Sequence, residues 1–144
     1  MNQHGFTLVE LLLSVAILSL LAGLSLPVYE TFLRRNDLDL TTQNIAMAVR
    51  RAQTYSRGVD EDSQWGVAFL SSGVTLFKGT SYAARAASFD ETIPLPASVS
   101  IAGLSEVLFS KVSGAPSATG AVSLTSTVND SRTITINAKG LVSY

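Results

Sequence analysis

The chain opens with an apolar run and then becomes periodic. Between Phe6 and Val28 the only charged residue is Glu10. This run is close to the roughly 20 residues that a membrane-crossing helix needs. Beyond it, apolar residues return at spacings of seven, four and three, namely at Leu38, Ile45, Val49 and Ala52. The pattern predicts one long helix from about residue 6 to residue 57, apolar on all sides at first and amphipathic afterwards.

Two local signals refine this helix. Arg57 followed by Gly58 predicts its end, because a basic last turn and a glycine cap are typical of helix C-termini. Pro27 cannot donate a hydrogen bond to the carbonyl of Gly23, and glycine is itself a poor helix former. We therefore expect a kink or local unwinding at Gly23 and Pro27, the alternative being an ordinary kink without a functional role.

After Gly58 the period changes from helical to alternating. Trp65 to Phe69 and Val74 to Phe77, separated by a Ser-Ser-Gly turn, predict a β-hairpin whose Trp65 face packs on the helix. Residues 79–92 lack a clear period and predict a loop or short helix. Further strands are predicted at 99–101, 107–112, 122–128, 132–136 and 141–144. The fold class is thus α+β, a long N-terminal helix packed on an antiparallel β-sheet domain.

Composition limits the function. The 144 residues carry ten basic and eleven acidic side chains, a net charge of -1, so no global field attracts nucleic acid. The chain has no cysteine, which excludes disulfides, thiolate catalysis and cysteine-ligated metals. The residues beyond the helix are enough for one compact domain of modest core.

The most specific motif lies at the start of the apolar run. The sequence Gly5-Phe6-Thr7-Leu8-Val9-Glu10 and the uncharged stretch after it resemble the N-terminus of type IV pilins and of type II secretion pseudopilins. The resemblance implies cleavage after Gly5 by a prepilin peptidase, N-methylation of Phe6, and pairing of Glu10 with the N-terminal amine of a neighbouring subunit. From the residues alone, a carboxylate at the edge of a membrane-length segment is already a functional-site hypothesis.

The resemblance also implies a division of the chain, a location and a set of partners. The expected parts are a leader peptide (1–5), a transmembrane and filament-core helix (6–28), an amphipathic helix half (29–58) and a β-rich periplasmic domain (59–144). The expected partners are other pilin or pseudopilin subunits, the prepilin peptidase, the inner-membrane assembly platform and the membrane. In this family the stretch from Gly23 to Pro27 can melt when subunits enter the filament.

A secretory signal peptide and a plain membrane anchor are the alternatives for the N-terminal segment. A secretory signal has a basic front and an apolar stretch of about 7–15 residues. This chain has no Lys or Arg before Arg34, and its apolar run is longer. Both observations favour the pilin-like interpretation.

The charges around the segment do not define its orientation. The leader lacks Lys and Arg, whereas Arg34 and Arg35 follow the apolar run, where basic residues normally indicate the cytoplasmic side. Either the helix continues with Glu30, Asp37 and Asp39 offsetting these arginines, or the true start lies upstream of Met1. The periplasmic placement of the domain therefore follows from the resemblance.

The second half of the chain is similar to the GspH/FimT-type minor pseudopilins and minor pilins. The similarity covers roughly residues 100–144 and is carried by 107–109, by 120–124, and by 132–136 ahead of Lys139-Gly140-Leu141-Val142. Members of that group commonly have an arginine directly after the late glycine. Here Leu141 occupies that position and Lys139 precedes the glycine.

The sequence gives little support for catalysis or metal binding. The only histidine, His4, lies in the expected leader, so a Ser-His-acid arrangement is not available to the processed chain. Asp60-Glu61-Asp62 lacks the alternating ligands of an EF-hand loop, and no glycine is followed by the Lys-Ser or Lys-Thr of a phosphate loop. Asp90 and Glu91 fit a solvated loop better than a pair of hydrolytic carboxylates. We expect a non-enzymatic protein without cofactor or metal.

Several functions stay open at this level. The machine can be a type II secretion pseudopilus or a type IV pilus. A DNA-binding minor pilin would use cations that converge in space, and the candidates are Lys78, Arg85, Lys111, Arg132 and Lys139. Nucleic acid is the less favoured partner because the chain is nearly neutral. A membrane-anchored binding module that never polymerises is an alternative of another class, and an anchored enzyme is the third.

Overall fold

The structure, a computed structural model, describes residues 5–144, the side chains of residues 24–28 excepted. It contains two compact units, one ending at Leu33 and the other comprising Arg34–Tyr144. Helix α1 extends over Leu8–Arg57, as the sequence predicts to within two residues. The backbone is helical through Gly23 and Pro27. The kink or local unwinding expected there stays a prediction.

The end of helix α1 differs in detail from the predicted glycine cap. The Gly58 N–H still donates to the Thr54 carbonyl at 2.9 Å, as in a continuing helix. The left-handed residue is the next one, Val59, at φ 54°. This conformation is costly for a β-branched residue. Val59 leads into a short 3-10 turn, Asp60–Asp62, whose Glu61 is also left-handed at φ 52°.

Residues 5–144 contain eight strands, which form two antiparallel four-stranded sheets. The strands are β1 (Trp65–Leu70), β2 (Gly73–Lys78), β3 (Glu91–Pro94), β4 (Val99–Gly103), β5 (Glu106–Phe109), β6 (Gly120–Ser126), β7 (Ser131–Ile136) and β8 (Val142–Ser143). The first sheet has the order β3-β2-β1-β5 and the second has the order β4-β6-β7-β8. With α1, they make an α+β architecture in which the helix packs on antiparallel sheets, as the fold class predicts.

Most predicted strands are present, with two corrections. The β1-β2 hairpin is confirmed, and it closes at the pair Leu70 and Gly73. Strand β5 ends at Phe109, before residue 112, because the chain turns there and the Gly114 N–H donates to the Ser110 carbonyl at 2.9 Å. Strand β3 was not predicted, because its four residues are mostly exposed and Pro94 ends it. Its pairing with β2 is what makes it a strand.

The predicted seam of helix α1 is the centre of the core. Leu38, Ile45, Val49 and Ala52 are all 0% exposed. They form one cluster with the inward side chains of both sheets, including Trp65, Val67, Phe69, Phe109, Leu124 and Ile134. Burial of each such side chain stabilises the fold by about 1.5–3 kcal/mol. The amphipathic pattern thus predicted the correct face of the helix.

Strand β1 is buried on both faces. On the helix side, the Trp65 ring lies 4.9 Å from that of Tyr55, and the Ser56 hydroxyl accepts a hydrogen bond from the Trp65 N–H at 2.9 Å. On the other side, Gly66 faces Phe77, whose ring contacts that of Tyr82 at 5.7 Å. Tyr82, which belongs to the segment 79–92 predicted as a loop or short helix, therefore covers part of the outer face of this sheet.

Gln53, a polar residue directly after the last seam residue Ala52, is buried. Its side-chain amide donates to the carbonyls of Gly114 and Lys139, both at 2.9 Å. Gly140, at φ 74°, has no room for a Cβ beside this amide. A single polar side chain of helix α1 therefore fixes two loops that are far apart in sequence.

Candidate assembly segment and surface charges

Helix α1 begins with a side-chain cap. The Thr7 carbonyl accepts a hydrogen bond from the Leu11 N–H at 3.1 Å, and the Thr7 hydroxyl accepts one from the Glu10 N–H at 3.2 Å. Thr7 is therefore the N-cap, and its hydroxyl satisfies one of the backbone donors that every helix leaves open at its start. This role was missed in the sequence, although the Thr-x-x-Glu spacing is the known signature of such a start.

The cap places Glu10 at the third helical position. An acidic side chain in the first turn is favoured by the partial positive charge of the helix N-terminus. The Glu10 side chain is exposed, so a cation from outside the chain can approach it. A carboxylate in an apolar surround forms a strong charge-assisted hydrogen bond with such a cation. The Glu10 carboxylate is therefore accessible to a cation of another molecule.

The large apolar side chains before and after Glu10 are exposed, and from Leu11 to Leu21 they lie on all sides of the helix. Phe6 is 83% exposed and Leu8 is 77% exposed. The hydroxyls of Ser14 and Ser19 donate to the carbonyls of Glu10 and Val15, so the helix itself satisfies these polar groups. A helix surface of this kind requires an apolar cover, supplied by lipid or by other apolar helices.

The predicted processing residues lie directly before the helix. Gly5 and Phe6 have neither helical nor strand backbone, and the first four residues of the predicted leader, with His4, lie outside the described residues. Gly23 sits inside helix α1 with open space where a Cβ would be. Among the described residues, no helix is long and apolar enough to cross a membrane.

Four of the five candidate DNA-contacting cations form an ion pair with a carboxylate of the same chain. The pairs are Lys78 with Glu61 (3.4 Å), Arg85 with Asp90 (2.7 Å), Lys111 with Asp62 (2.8 Å) and Arg132 with Asp39 (2.8 Å). The fifth cation, Lys139, lies in a turn, and its backbone carbonyl accepts a hydrogen bond from the Gln53 side-chain amide. The structure brings Lys78 and Lys111 together, but at the acidic turn 60–62. DNA contact stays a prediction to which these pairs give no support.

The acidic turn 60–62 is held by cations of the same chain. The hydrogen bond from Lys111 lowers the pKa of Asp62 below its usual value, and Glu61 faces Lys78. Within the part of the chain that the structure describes, no group of three or more acidic or histidine side chains could hold a metal ion. Lys78 and Lys111 thus pair with two of the three acids of this turn, and these pairs could not be predicted from the three acids alone.

Arg34 and Arg35, which complicated the orientation, bind the domain. The Arg34 guanidinium donates to the Thr127 hydroxyl at 2.7 Å, and Arg35 forms an ion pair with Asp130 at 2.7 Å. Both partners belong to the turn between β6 and β7. Asp39, one of the three acids that could offset these arginines, forms an ion pair with Arg132. The two arginines are therefore explained by the folded domain.

The comparison with known families agrees with the N-terminal motif. The family profile described as the prokaryotic N-terminal methylation motif matches residues 1–26. No curated protein and no solved structure matches the chain.

The matched motif is that of type IV prepilin-like proteins. It supports a type IV pilin-like or pseudopilin-like protein that is processed at its N-terminus. The motif indicates a membrane-anchored, pilin-type structural protein, a class that is typically non-enzymatic. It also indicates interaction with other pilin subunits and with the prepilin peptidase.

Proposed function

We propose that this chain is a minor pseudopilin or minor pilin, a structural subunit of a type II secretion pseudopilus or of a type IV pilus. The single observation that carries the proposal is the motif at residues 1–26, followed by a helix whose apolar side chains are exposed. The subunit is cleaved after Gly5, methylated at Phe6, held by residues 6–28 in the bacterial inner membrane with its domain in the periplasm, and delivered to the assembly platform.

In this proposal Glu10 has two roles. In the membrane its carboxylate makes a lone subunit energetically unfavourable, because a buried charge without a partner is costly. On assembly the carboxylate accepts a hydrogen bond from the N-terminal ammonium of a neighbouring subunit's Phe6. Such a pair selects the register of assembly more than it adds stability, because a wrong register leaves a buried charge alone.

The first test is the intact mass and N-terminal sequence of the protein purified from its native membrane. A chain that begins at N-methylated Phe6 is the expected result. An intact Met1, or a cut beyond Leu26, would contradict the proposal and favour the plain anchor or the signal peptide. Failure to co-purify with any pilin or pseudopilin would instead favour an anchored binding module that does not polymerise.

The proteins that co-purify with the processed protein distinguish a type II secretion pseudopilus from a type IV pilus. Co-purification with pseudopilins and a secretion defect on deletion of the gene indicate type II secretion. Co-purification with sheared surface fibres and a piliation defect indicate a type IV pilus. DNA uptake that is lost while piliation is kept would favour the DNA-binding alternative, for which the ion-paired cations offer little.

A further inference from the structure

Within residues 5–144 each sheet has two edge strands, and three of these four edges are protected. The edges are β3 and β5 in the first sheet and β4 and β8 in the second. Strand β3 contains Glu91 and Pro94, and β8 has only two residues. Strand β5 is covered by the chain that follows it, because the Ser117 N–H donates to the Leu108 carbonyl at 2.8 Å. A charge, a proline, a short strand and a covering segment are the usual protections against the addition of another strand.

Strand β4, Val99–Gly103, lacks these protections. It contains neither a proline nor a charged residue, and the sequence from 92 to 105 that surrounds it is uncharged as well. Its five residues come close to the mean length of a strand. Ser100, Ala102 and Gly103 are exposed, and Ile101 is half-buried. An unprotected edge of this kind is a template for pairing with another extended chain.

The register of β4 shows which of its backbone groups are open. Strand β4 pairs with β6, and the Thr127 N–H donates to the Ser98 carbonyl at 3.0 Å. In an antiparallel pair, residues that bond the partner strand alternate with residues whose backbone groups face away from it. The N–H and C=O of Ile101 and the N–H of Gly103 therefore point away from β6. In the part of the chain that the structure describes, no other backbone group is bonded to them.

A pocket lies beside the last residues of β4. It has a volume of about 170 Å³ and is lined by Phe69, Ile101, Ala102, Gly103, Leu104 and Ser105. Gly103 has a φ of 119°, and a Cβ at this position would meet the Ala121 carbonyl, so the position requires glycine. In an antiparallel pair, the residue opposite Gly103 points its side chain to the same face of the sheet. The pocket therefore has room for an aliphatic side chain of an added strand.

We propose that β4 binds an extended, uncharged segment of a partner protein, which adds a strand to the second sheet and places one aliphatic side chain in the pocket beside Gly103. The backbone of the segment supplies most of the recognition, since Ile101 offers it both a donor and an acceptor. Alternate side chains of the segment point to the pocket face and give specificity. The proposal goes beyond the proposed function and does not depend on processing at Gly5.

A second copy of this chain is a less suitable partner for the edge. Antiparallel pairing of two β4 strands around Ile101 would put Val99 of the second copy opposite Gly103. Val99 is only 8% exposed, because it belongs to the core of its own molecule. It cannot enter the pocket of a neighbour, so the pocket would stay empty. The geometry therefore favours a strand from a different protein.

The probe for the test is a synthetic peptide with the sequence of residues 119–127, which includes strand β6. This sequence pairs with β4 inside the fold and carries Val122 and Leu124 on one face. Blocking groups at both ends keep the peptide uncharged. The control peptide is methylated at the backbone nitrogens of Ser123 and Leu124. Adjacent residues donate from opposite edges of a strand, so both edges of the control peptide are blocked.

Amide hydrogen exchange of the full-length protein in detergent micelles, followed by NMR, reports the binding. We expect saturating peptide to slow exchange of the Ile101 and Gly103 amides roughly tenfold or more, because these amides become hydrogen-bonded. The methylated peptide should leave their exchange unchanged. No slowing by either peptide, or equal slowing by both, would overturn the proposal. Slowing that grows with protein concentration in the absence of peptide would also overturn it, because a second copy would then cover the edge.

Ile101→Pro tests the same contact from the side of the protein. Proline lacks the outward N–H, whereas the bonds to β6 come from the neighbouring residues and are retained. We expect the affinity for the peptide, measured by calorimetry, to fall roughly tenfold or more, because a donor is lost and the ring fills space that the added strand needs. Ile101→Val is the matched control, since it keeps the N–H and a similar side chain. Equal affinity of the two variants would contradict the proposal.

A folding control separates loss of the contact from loss of the domain. Thermal unfolding of Ile101→Pro within a few degrees of the parent protein shows that the variant is folded. If the variant does not fold, the methylated peptide decides the same question with the parent protein, because it removes the backbone donors from the other partner. Both experiments leave the N-terminal segment unchanged, so a negative result overturns this inference and leaves the proposed function intact.

Discussion

The first and last parts of helix α1 place their apolar side chains in opposite environments. Between Leu8 and Leu21 the large aliphatic side chains are 51–77% exposed. Between Leu38 and Ala52 the four seam residues are fully buried in the domain. The difference shows that the second part of the helix is stabilised by its own chain, whereas the first part depends on surfaces supplied from outside.

The comparison separates two kinds of experiment. Substitutions in the first part should change assembly and leave the unfolding of the domain unaffected. Substitutions in the seam should change unfolding first. The single tryptophan, Trp65, is 5% exposed and lies against Tyr55 of the helix, so its fluorescence reports on the domain alone.

Among these substitutions, Glu10→Gln should have the largest effect. This effect should be limited to assembly. The amide keeps the size of the side chain but leaves a neighbour's ammonium buried without its counter-charge, which costs about 3–5 kcal/mol. We expect insertion into the membrane to be normal and incorporation to fall by roughly a hundredfold or more. The fraction that co-purifies with assembled subunits measures this. Asp39→Asn, on the same helix, is the control and should incorporate normally; normal incorporation of Glu10→Gln would refute the assigned role.

Leu38→Ala should show the opposite behaviour. Removal of a fully buried leucine side chain leaves a cavity and lowers the free energy of unfolding by about 2–5 kcal/mol. Leu40→Ala, two residues along and half exposed, should change it by no more than about 0.5 kcal/mol. Denaturant unfolding in detergent, followed by Trp65 fluorescence, measures both. Equal losses would mean that the two faces of the helix are not distinct.

Gln53→Leu tests the polar part of the seam. The substitution leaves the carbonyls of Gly114 and Lys139 without their donor, and we expect a loss of about 1–3 kcal/mol. Gln43→Leu, at an exposed position of the same helix, is the matched control. The same unfolding measurement applies. A loss no greater than that of the control would show that the two loops are held by other contacts.

Glu91→Gln should give the smallest effect, with a characteristic pH dependence. Arg51 lowers the pKa of Glu91, so the pair stabilises the fold above the ordinary glutamate pKa of about 4.3, and this stability is lost as the pH falls through the lower folded pKa. Because the pair is half exposed, we expect at most about 1 kcal/mol at neutral pH.

The measurement for Glu91 is the difference in unfolding free energy between the parent protein and Glu91→Gln. This difference should shrink as the pH is lowered below about 4, since the carboxyl group is then protonated in both folded and unfolded chains. A difference that stays constant over this range would show that the Arg51 contact contributes through its shape and not through its charge.

The features that sequence predicted are those that depend on local periodicity. The seam of helix α1, its last residue Arg57 and the β1-β2 hairpin follow from the spacing of apolar side chains, and each is present. The left-handed conformation of Val59 could not be predicted, because glycine normally adopts this conformation at the end of a helix and Gly58 stands directly before Val59. Strand β3 could not be predicted either, because it is a strand only through its pairing with β2, which is not a local property of the sequence.

The roles of Gly5, Phe6 and Glu10 come from the resemblance to pilins and stay predictions. The Thr-x-x-Glu spacing could have revealed the cap formed by Thr7. The shallow groove between helix α1 and strand β3 could not be predicted, because Met47 and Ile93 come together only once β3 lies beside the helix. The partners of Arg35 and Arg132 lie 95 and 93 positions away, so the charge pattern along the chain could not identify them.

The buried amide of Gln53 has a consequence for the order of folding. It joins helix α1 to residues 61 and 86 positions later. Loops of this length must close, at a cost in chain entropy, before these contacts can stabilise the fold. Such topologies therefore fold slowly. We therefore expect the second part of the helix to become stable only when the turn around Lys139 has formed. The domain should then fold in one late, cooperative step.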